Sequence, residues 1–244
     1  MFNMILAMSE NALNEDTVSD HGPSDHSPSE HGPTAGPAGG PATGRGTRRA
    51  SARDIAVIAV FAAITAALGL LPAVYVPISP TPITAQTFGV ILAGAVIGGR
   101  RAAASQGLFL ALAAIGLPIL AGGRGGIGVF VGPTVGFLIA FPIVAGLIGW
   151  ATEWVGAPYR IVPGLVINAA FGIGVMYLLG WAGMMATTHL GPWAALIALS
   201  PFLIGDALKV VLATITARGV HASYPGLLRR RGLSPAPGAA PDPA

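Results

Sequence analysis

Residues 132–155 read Gly132-Pro133-Thr134-Val135-Gly136-Phe137-Leu138-Ile139-Ala140-Phe141-Pro142-Ile143-Val144-Ala145-Gly146-Leu147-Ile148-Gly149-Trp150-Ala151-Thr152-Glu153-Trp154-Val155, with Glu153 the sole charge among them. A hydrocarbon core about 30 Å thick takes roughly 20 apolar residues of helix to cross, and this run supplies them. Apolar runs of roughly 17 residues or more recur on both sides of it. Of the 244 residues, 53% are hydrophobic and only 9% charged, against about 25% charged in an ordinary soluble domain. Between Ile55 and Ala217 the charged residues are Arg100, Arg101, Arg124, Glu153, Arg160, Asp206 and Lys209. A soluble fold of this length needs far more charge to coat its surface. The sequence therefore specifies an all-α membrane domain.

Working outward from residues 132–155, which form the fourth expected span, the first runs from Arg53 to Leu71. It is stopped by Pro72, Pro77, Pro80 and Pro82, because proline lacks the amide donor and crowds the preceding turn. The second covers Ile83 to Gly99. Arg100 and Arg101 lead into the third, which ends near Gly116, and a glycine-rich loop from Leu117 to Gly128 follows. The fifth spans Arg160 to Trp181 and the sixth Pro192 to Ala217.

Basic residues collect on the cytoplasmic side of membrane proteins. With six spans and the N-terminus inside, they belong in the tails and in the second and fourth loops. Arg45, Arg48, Arg49, Arg53, Arg100, Arg101, Arg160, Arg218, Arg229, Arg230 and Arg231 all fall there. Six spans with both termini cytoplasmic is thus the expected topology. The net charge of +3 reads as topology rather than as a nucleic-acid face, since the cations flank apolar runs without interleaved aromatics.

Three regions are expected: a low-complexity, disordered N-terminal tail over 1–50, a transmembrane domain over 51–220, and a basic, Pro- and Ala-rich cytoplasmic tail over 221–244. The N-terminal segment is too polar to offset the entropy of ordering. Its His21, His26 and His31 have no fixed geometry for holding a metal. Met1 to Met8 is too short, and lacks the basic start, for a signal peptide. With no cysteine in the chain, thiol chemistry and disulfides are excluded.

Two cations escape the topological account. Lys209 lies inside the sixth span three residues after Asp206, on the same helix face, and Asp206 is the single acid in the centre of an expected span. A charge at mid-span costs about 2.5–3.5 kcal/mol on insertion scales, so such residues face a cavity or a partner. The pair is either a ligand site or a self-neutralising ion pair, with snorkelling of Lys209 as a variant. Arg124, in the loop Gly122-Gly123-Arg124-Gly125-Gly126, either meets an anionic group of an incoming molecule or faces lipid headgroups. That loop lacks the Lys-Ser/Thr ending and the preceding strand of a phosphate-binding loop, and reads as a flap over an outward pocket. Asn168 in the fifth span either hydrogen-bonds between helices or lines a polar cavity. Gln86, beside Thr84 and Thr87 at the start of the second span, is long enough to reach a ligand; the threonines read as caps. Ala59, Ala63 and Ala67 recur every fourth residue in the first span, making a flat stripe for close helix approach. No nucleophile, zinc motif or nucleotide-binding loop is assembled, so the chain is expected to bind a molecule rather than transform it.

Four stretches, taken in order and spacing, resemble the BioY family, the biotin-specific substrate-binding (S) subunits of energy-coupling-factor (ECF) transporters. They are Pro82-Ile83-Thr84-Ala85-Gln86-Thr87-Phe88-Gly89-Val90, Ala114-Ile115-Gly116-Leu117-Pro118 with its glycine-rich continuation, Gly132-Pro133-Thr134-Val135-Gly136-Phe137-Leu138, and Pro201-Phe202-Leu203-Ile204-Gly205-Asp206-Ala207-Leu208-Lys209. The resemblance extends over about Arg53 to Ala217. It implies a six-helix S-component bundle in the plasma membrane of a bacterium. Biotin is then the transported ligand, no cofactor is needed, and a transmembrane coupling protein and two ATP-binding subunits are the partners. It further implies that Asp206 accepts an N–H of the ureido group, that Asn168 or Gln86 donates to its carbonyl, and that Lys209 balances Asp206 or adds a donor. Arg124 then meets the carboxylate, Phe88 or Tyr177 packs on the rings, and the stripe of Ala59, Ala63 and Ala67 docks on the coupling protein. Val135 stands where the family pattern has glycine, the Arg124 loop is its variable part, and the His/Pro-rich tail is foreign to it. The rival readings are an S subunit for another vitamin, such as thiamine or riboflavin, whose aromatic rings call for more than four Trp and four Tyr, and a self-sufficient proton-coupled transporter with Asp206 as carrier.

Overall fold

A computed structural model describes residues 51–224. The expected tail over 1–50, with its three histidines, and residues 225–244 of the expected C-terminal tail lie outside the described residues. Within them, helices account for nearly all regular structure. They are α1 (Ala52–Gly69), α2 (Gln86–Ile97), α3 (Gly99–Ala114), α4 (Val135–Val155), α5 (Ile161–Thr188), α6 (Pro192–Leu199) and α7 (Phe202–Ser223), with a 3-10 turn at Ile127–Val131.

The boundaries follow from local chemistry. Ser51 caps α1 by accepting the Asp54 amide at 3.2 Å, the ordinary role of a serine before a first turn. The proline-rich loop after α1 is folded back rather than loose: Val74 and Ile83 exchange backbone hydrogen bonds of 3.0 and 2.9 Å. Between α2 and α3 the chain turns at Gly98, whose φ of 82° is open to glycine at little steric cost.

All six expected stretches are helical, but unevenly so. By length and apolarity α1, α4 and α5 each suffice to cross a bilayer. The sixth stretch is not one helix: α6 and α7 meet at a 50° bend, where Pro201 cannot donate to the turn before it. Helix α7 continues to Ser223, past the expected boundary at 220. Helix α2 has only 12 residues, about 18 Å at 1.5 Å per residue. It is buried over almost its whole length and packs against α1, α3, α4 and α7. A helix that is apolar all round belongs in a core, and α2 is the hub of this one.

Close approach around that hub depends on glycine. Gly149 of α4 lies against the Gly98–Gly99 backbone, and Gly136 of α4 against Gly183 of α5, with no room for a Cβ at either. Small residues let membrane helices approach in this way. The outer surfaces of α1, α4, α5 and α7 expose Val60, Ile139, Val166, Ile204 and Leu208 among other large apolar residues, a coat suited to lipid and not to water.

Candidate functional site

The start of α2, the glycine-rich loop, the first turns of α4 and the first turns of α7 surround a cleft. It takes in about 550 Å³ of space, solvent at its open side included. Asp206, Lys209, Gln86 and Arg124 all line it. These four come from three separate parts of the chain, so the fold gathers most of the polar residues singled out in the sequence.

Asp206 is the centre of the arrangement and is only 3% exposed. Its Oδ1 accepts from Lys209 Nζ at 2.7 Å and from Thr87 Oγ1 at 3.1 Å. Its Oδ2 accepts from the Tyr177 hydroxyl at 2.8 Å. Lys209 Nζ also donates to the Thr84 carbonyl at 2.6 Å and to Thr87 Oγ1 at 3.0 Å. An ammonium has three donors and all three are engaged; a carboxylate has about four acceptor positions, and three are filled. The spare one is on Asp206 Oδ2. The ion pair is therefore more than self-neutralising, because it ties α7 to the start of α2 and leaves one unfilled acceptor.

Gln86 has a different task from the one its length suggests. Its Nε2 donates to the carbonyls of Ile119 (3.1 Å) and Thr65 (3.4 Å), and its Oε1 accepts from the Ala121 amide at 3.3 Å. Its amide clamps the glycine-rich loop to α1, at the edge of a cleft that Gln86 also lines. Arg124 closes the other side of that loop: its Nε donates to the Ala121 carbonyl at 3.2 Å, and its backbone bridges to Leu120.

The structure removes Asn168 from this group. It is fully buried, is absent from the cleft lining, and donates through Nδ2 to Thr214 Oγ1 at 2.9 Å. Thr214 lies eight residues beyond Asp206 on α7, about 12 Å along the axis, and Asn168 is at that depth. There it neighbours Tyr159, whose ring stacks on His221 at a centroid distance of 5.0 Å, and the His221 Nε2 is 2.9 Å from the Ala95 carbonyl oxygen. Burial pushes the Tyr159 phenol above its ordinary range.

The aromatic residues of the cleft are also not those expected. Phe88 packs in the core and Tyr177 serves Asp206, and neither lines the cleft. Phe137, Phe141 and Phe202 do, with the rings of Phe137 and Phe202 stacked at 6.1 Å. Phe137 and Phe141 are four residues apart on α4, a spacing that puts both on one face, and that signal was available in the sequence. Away from the cleft, Ala59, Ala63 and Ala67 are exposed on the outer face of α1, while Ala62 turns inward. Among the described residues no cluster of His, Asp and Glu is arranged to hold a metal.

Comparison with known proteins agrees on one family. The model of the BioY family matches residues 43–226. The chain is 40% identical to the biotin transporter BioY of Rhizobium etli over 72% of its own length and 97% of that protein's. It is 41% identical to that of Rhodobacter capsulatus over 73% and 98%, respectively. A crystal structure of the S-component for biotin from an ECF-type ABC transporter superposes with a TM-score of 0.67 at 30% identity, covering 70% of this chain and 91% of that one.

Proposed function

The chain belongs to the BioY family, and from that membership we propose that it is the biotin-capturing S subunit of an ECF-type transporter. It is a transporter component and not an enzyme. The observation that carries the assignment of the site is the buried Asp206 carboxylate, with one acceptor position unfilled at a cleft lined by three phenylalanines. Biotin has matching parts. A ureido N–H fills the spare position on Asp206, the thiolane ring lies among Phe137, Phe141 and Phe202, and the valerate carboxylate meets Arg124. Lys209 holds Asp206 in place, and Gln86 holds the loop that closes the cleft.

The rest of the reading follows from the same membership. The chain crosses a bacterial plasma membrane six times with both ends in the cytoplasm, a topology supported by the placement of its arginines. It couples to a transmembrane partner through the exposed stripe of Ala59, Ala63 and Ala67, and two ATP-binding subunits supply the energy.

Isothermal titration of biotin into the purified chain, and into Asp206→Asn, tests the site. The parent binds tightly, and the variant, which presents an amide in place of a charged acceptor, loses at least about 100-fold, the upper part of the range for a hydrogen bond to a charged group. Equal binding by the variant makes Asp206 structural. A folded parent that ignores biotin overturns the ligand.

A further inference from the structure

Asp206 Oδ2, the oxygen with the spare acceptor position, is held by a residue outside the cleft. Lys209 and Thr87 both bind Oδ1, and the carboxylate's torsion about Cβ–Cγ has broad preferences, so its setting follows from the partners its two oxygens hold. The Tyr177 hydroxyl, 2.8 Å from Oδ2, is the partner that holds the second oxygen and so completes the setting of the carboxylate plane.

Tyr177 owes its position to an irregularity in α5. Six residues, Ala170–Val175, form a π-helical turn inside the otherwise α-helical stretch. Helices α5 and α7 share two polar contacts, Asn168 with Thr214 and Tyr177 with Asp206. The first residues of these pairs are nine apart and their partners eight. At about 100° per residue, eight residues leave two side chains about 80° apart, whereas nine place them on opposite faces. A π turn, with its i→i+5 bonds, absorbs one residue and restores the match, so that Asn168 and Tyr177 both face α7.

We propose that Tyr177 is a positioning residue for ligand capture: it fixes the Asp206 carboxylate with its unfilled acceptor position toward the cleft, and the π turn at Ala170–Val175 supplies the helix register that brings it there. This rests on Asp206 being the ligand's acceptor, as proposed above.

Tyr177→Phe removes one oxygen and keeps the ring. Biotin titration of Tyr177→Phe, Asp206→Asn and the double variant gives a thermodynamic cycle. The single Tyr177→Phe change weakens binding about ten-fold, the loss of one hydrogen bond to a charged group. In the Asp206→Asn background the same change costs less than about two-fold, which a mere packing role would not produce. A parent that binds biotin beside a Tyr177→Phe that binds equally well overturns the proposal, as does an equal cost in both backgrounds. A ligand-free measurement separates this outcome from failure of the biotin assignment. The infrared carboxylate stretch of isotopically labelled Asp206 shifts in Tyr177→Phe if the hydroxyl holds it, and an unchanged band overturns the positioning role whatever the ligand is. Deleting Gly174, which meets no other side chain, closes the π turn. The band then stays where it is in the parent, because eight residues of plain α-helix keep Asn168 and Tyr177 both facing α7, and a band that moves in the folded deletion overturns the register argument.

Discussion

Two buried polar clusters lie along the α5–α7 seam, and they are built differently. At the cleft, Asp206 and Lys209 use all but one of their bonding positions on Thr84, Thr87 and Tyr177. Deeper in, Asn168 donates to Thr214, while Asn168 Oδ1, the Tyr159 hydroxyl and Thr152 Oγ1 are buried without a hydrogen-bond partner. The first cluster holds full charges, converges on open space and keeps one acceptor in reserve. The second holds neutral groups, faces no cleft of comparable size and joins one helix to another. Burial and polarity alone therefore do not mark a ligand site. On the function proposed above, convergent charge, near-complete satisfaction and a single unfilled position at a cavity do.

The largest effect expected from breaking this comparison is at Lys209. Lys209→Met leaves the Asp206 carboxyl buried without its cation, and removing one member of a buried pair costs about 3–5 kcal/mol. Thermal unfolding in lipid nanodiscs should show that loss, and biotin titration should show binding abolished. Replacing both residues, as Asp206→Leu with Lys209→Leu, removes the charges together and should return most of the stability without returning binding. If the double variant is as unstable as the single one, the pair serves packing more than capture.

Gln86→Leu comes next and sharpens the comparison, because Gln86 touches the cleft yet binds backbone. The change releases the Ile119 and Ala121 contacts and leaves buried backbone groups without partners, at about 1–3 kcal/mol. The loop then closes less firmly. Stopped-flow measurements should find biotin dissociating about ten-fold faster with association little changed. A matching loss in association would instead mean that Gln86 meets the ligand directly.

Much of this was legible in the sequence, for reasons that differ by residue. The membrane class follows from counting charges across runs of apolar residues. Asp206 and Lys209 stand out because a charge in hydrocarbon is too costly to be incidental, and their three-residue spacing already puts them on one face. Arg124 and Gln86 were legible as cleft residues, whereas Gln86's role as a clamp was not, since nothing local shows which carbonyl a long amide will reach. The bend before α7 had its signal in Pro201. Tyr177 was hidden: an aromatic in an apolar helix looks like packing, and its contact with Asp206 depends on a π turn that shifts register without a distinctive residue. For Asn168 the choice between joining helices and lining a cavity stayed open for a related reason. Sequence reports that a polar residue is buried but not at what depth, and depth is fixed only when α5 meets α7.

Asn168 also gives the smallest expected effect and the cleanest control. Asn168→Leu removes the Nδ2 donor to Thr214 and, with it, the orphaned Oδ1, so one lost hydrogen bond is partly offset by one relieved acceptor. Hydrogen bonds between membrane helices average about 0.6 kcal/mol, and the net change in stability should be no larger. Thr214 keeps its own bond to the Val210 carbonyl at 2.7 Å, so α7 is not left with a free hydroxyl. Biotin affinity should stay within about two-fold of the parent, because no atom of the Asp206 cluster depends on Asn168. A ten-fold loss in a variant of normal stability would mean that the two clusters are coupled along α5, through the same π turn that sets Tyr177 in place, and the division drawn between them would have to be abandoned.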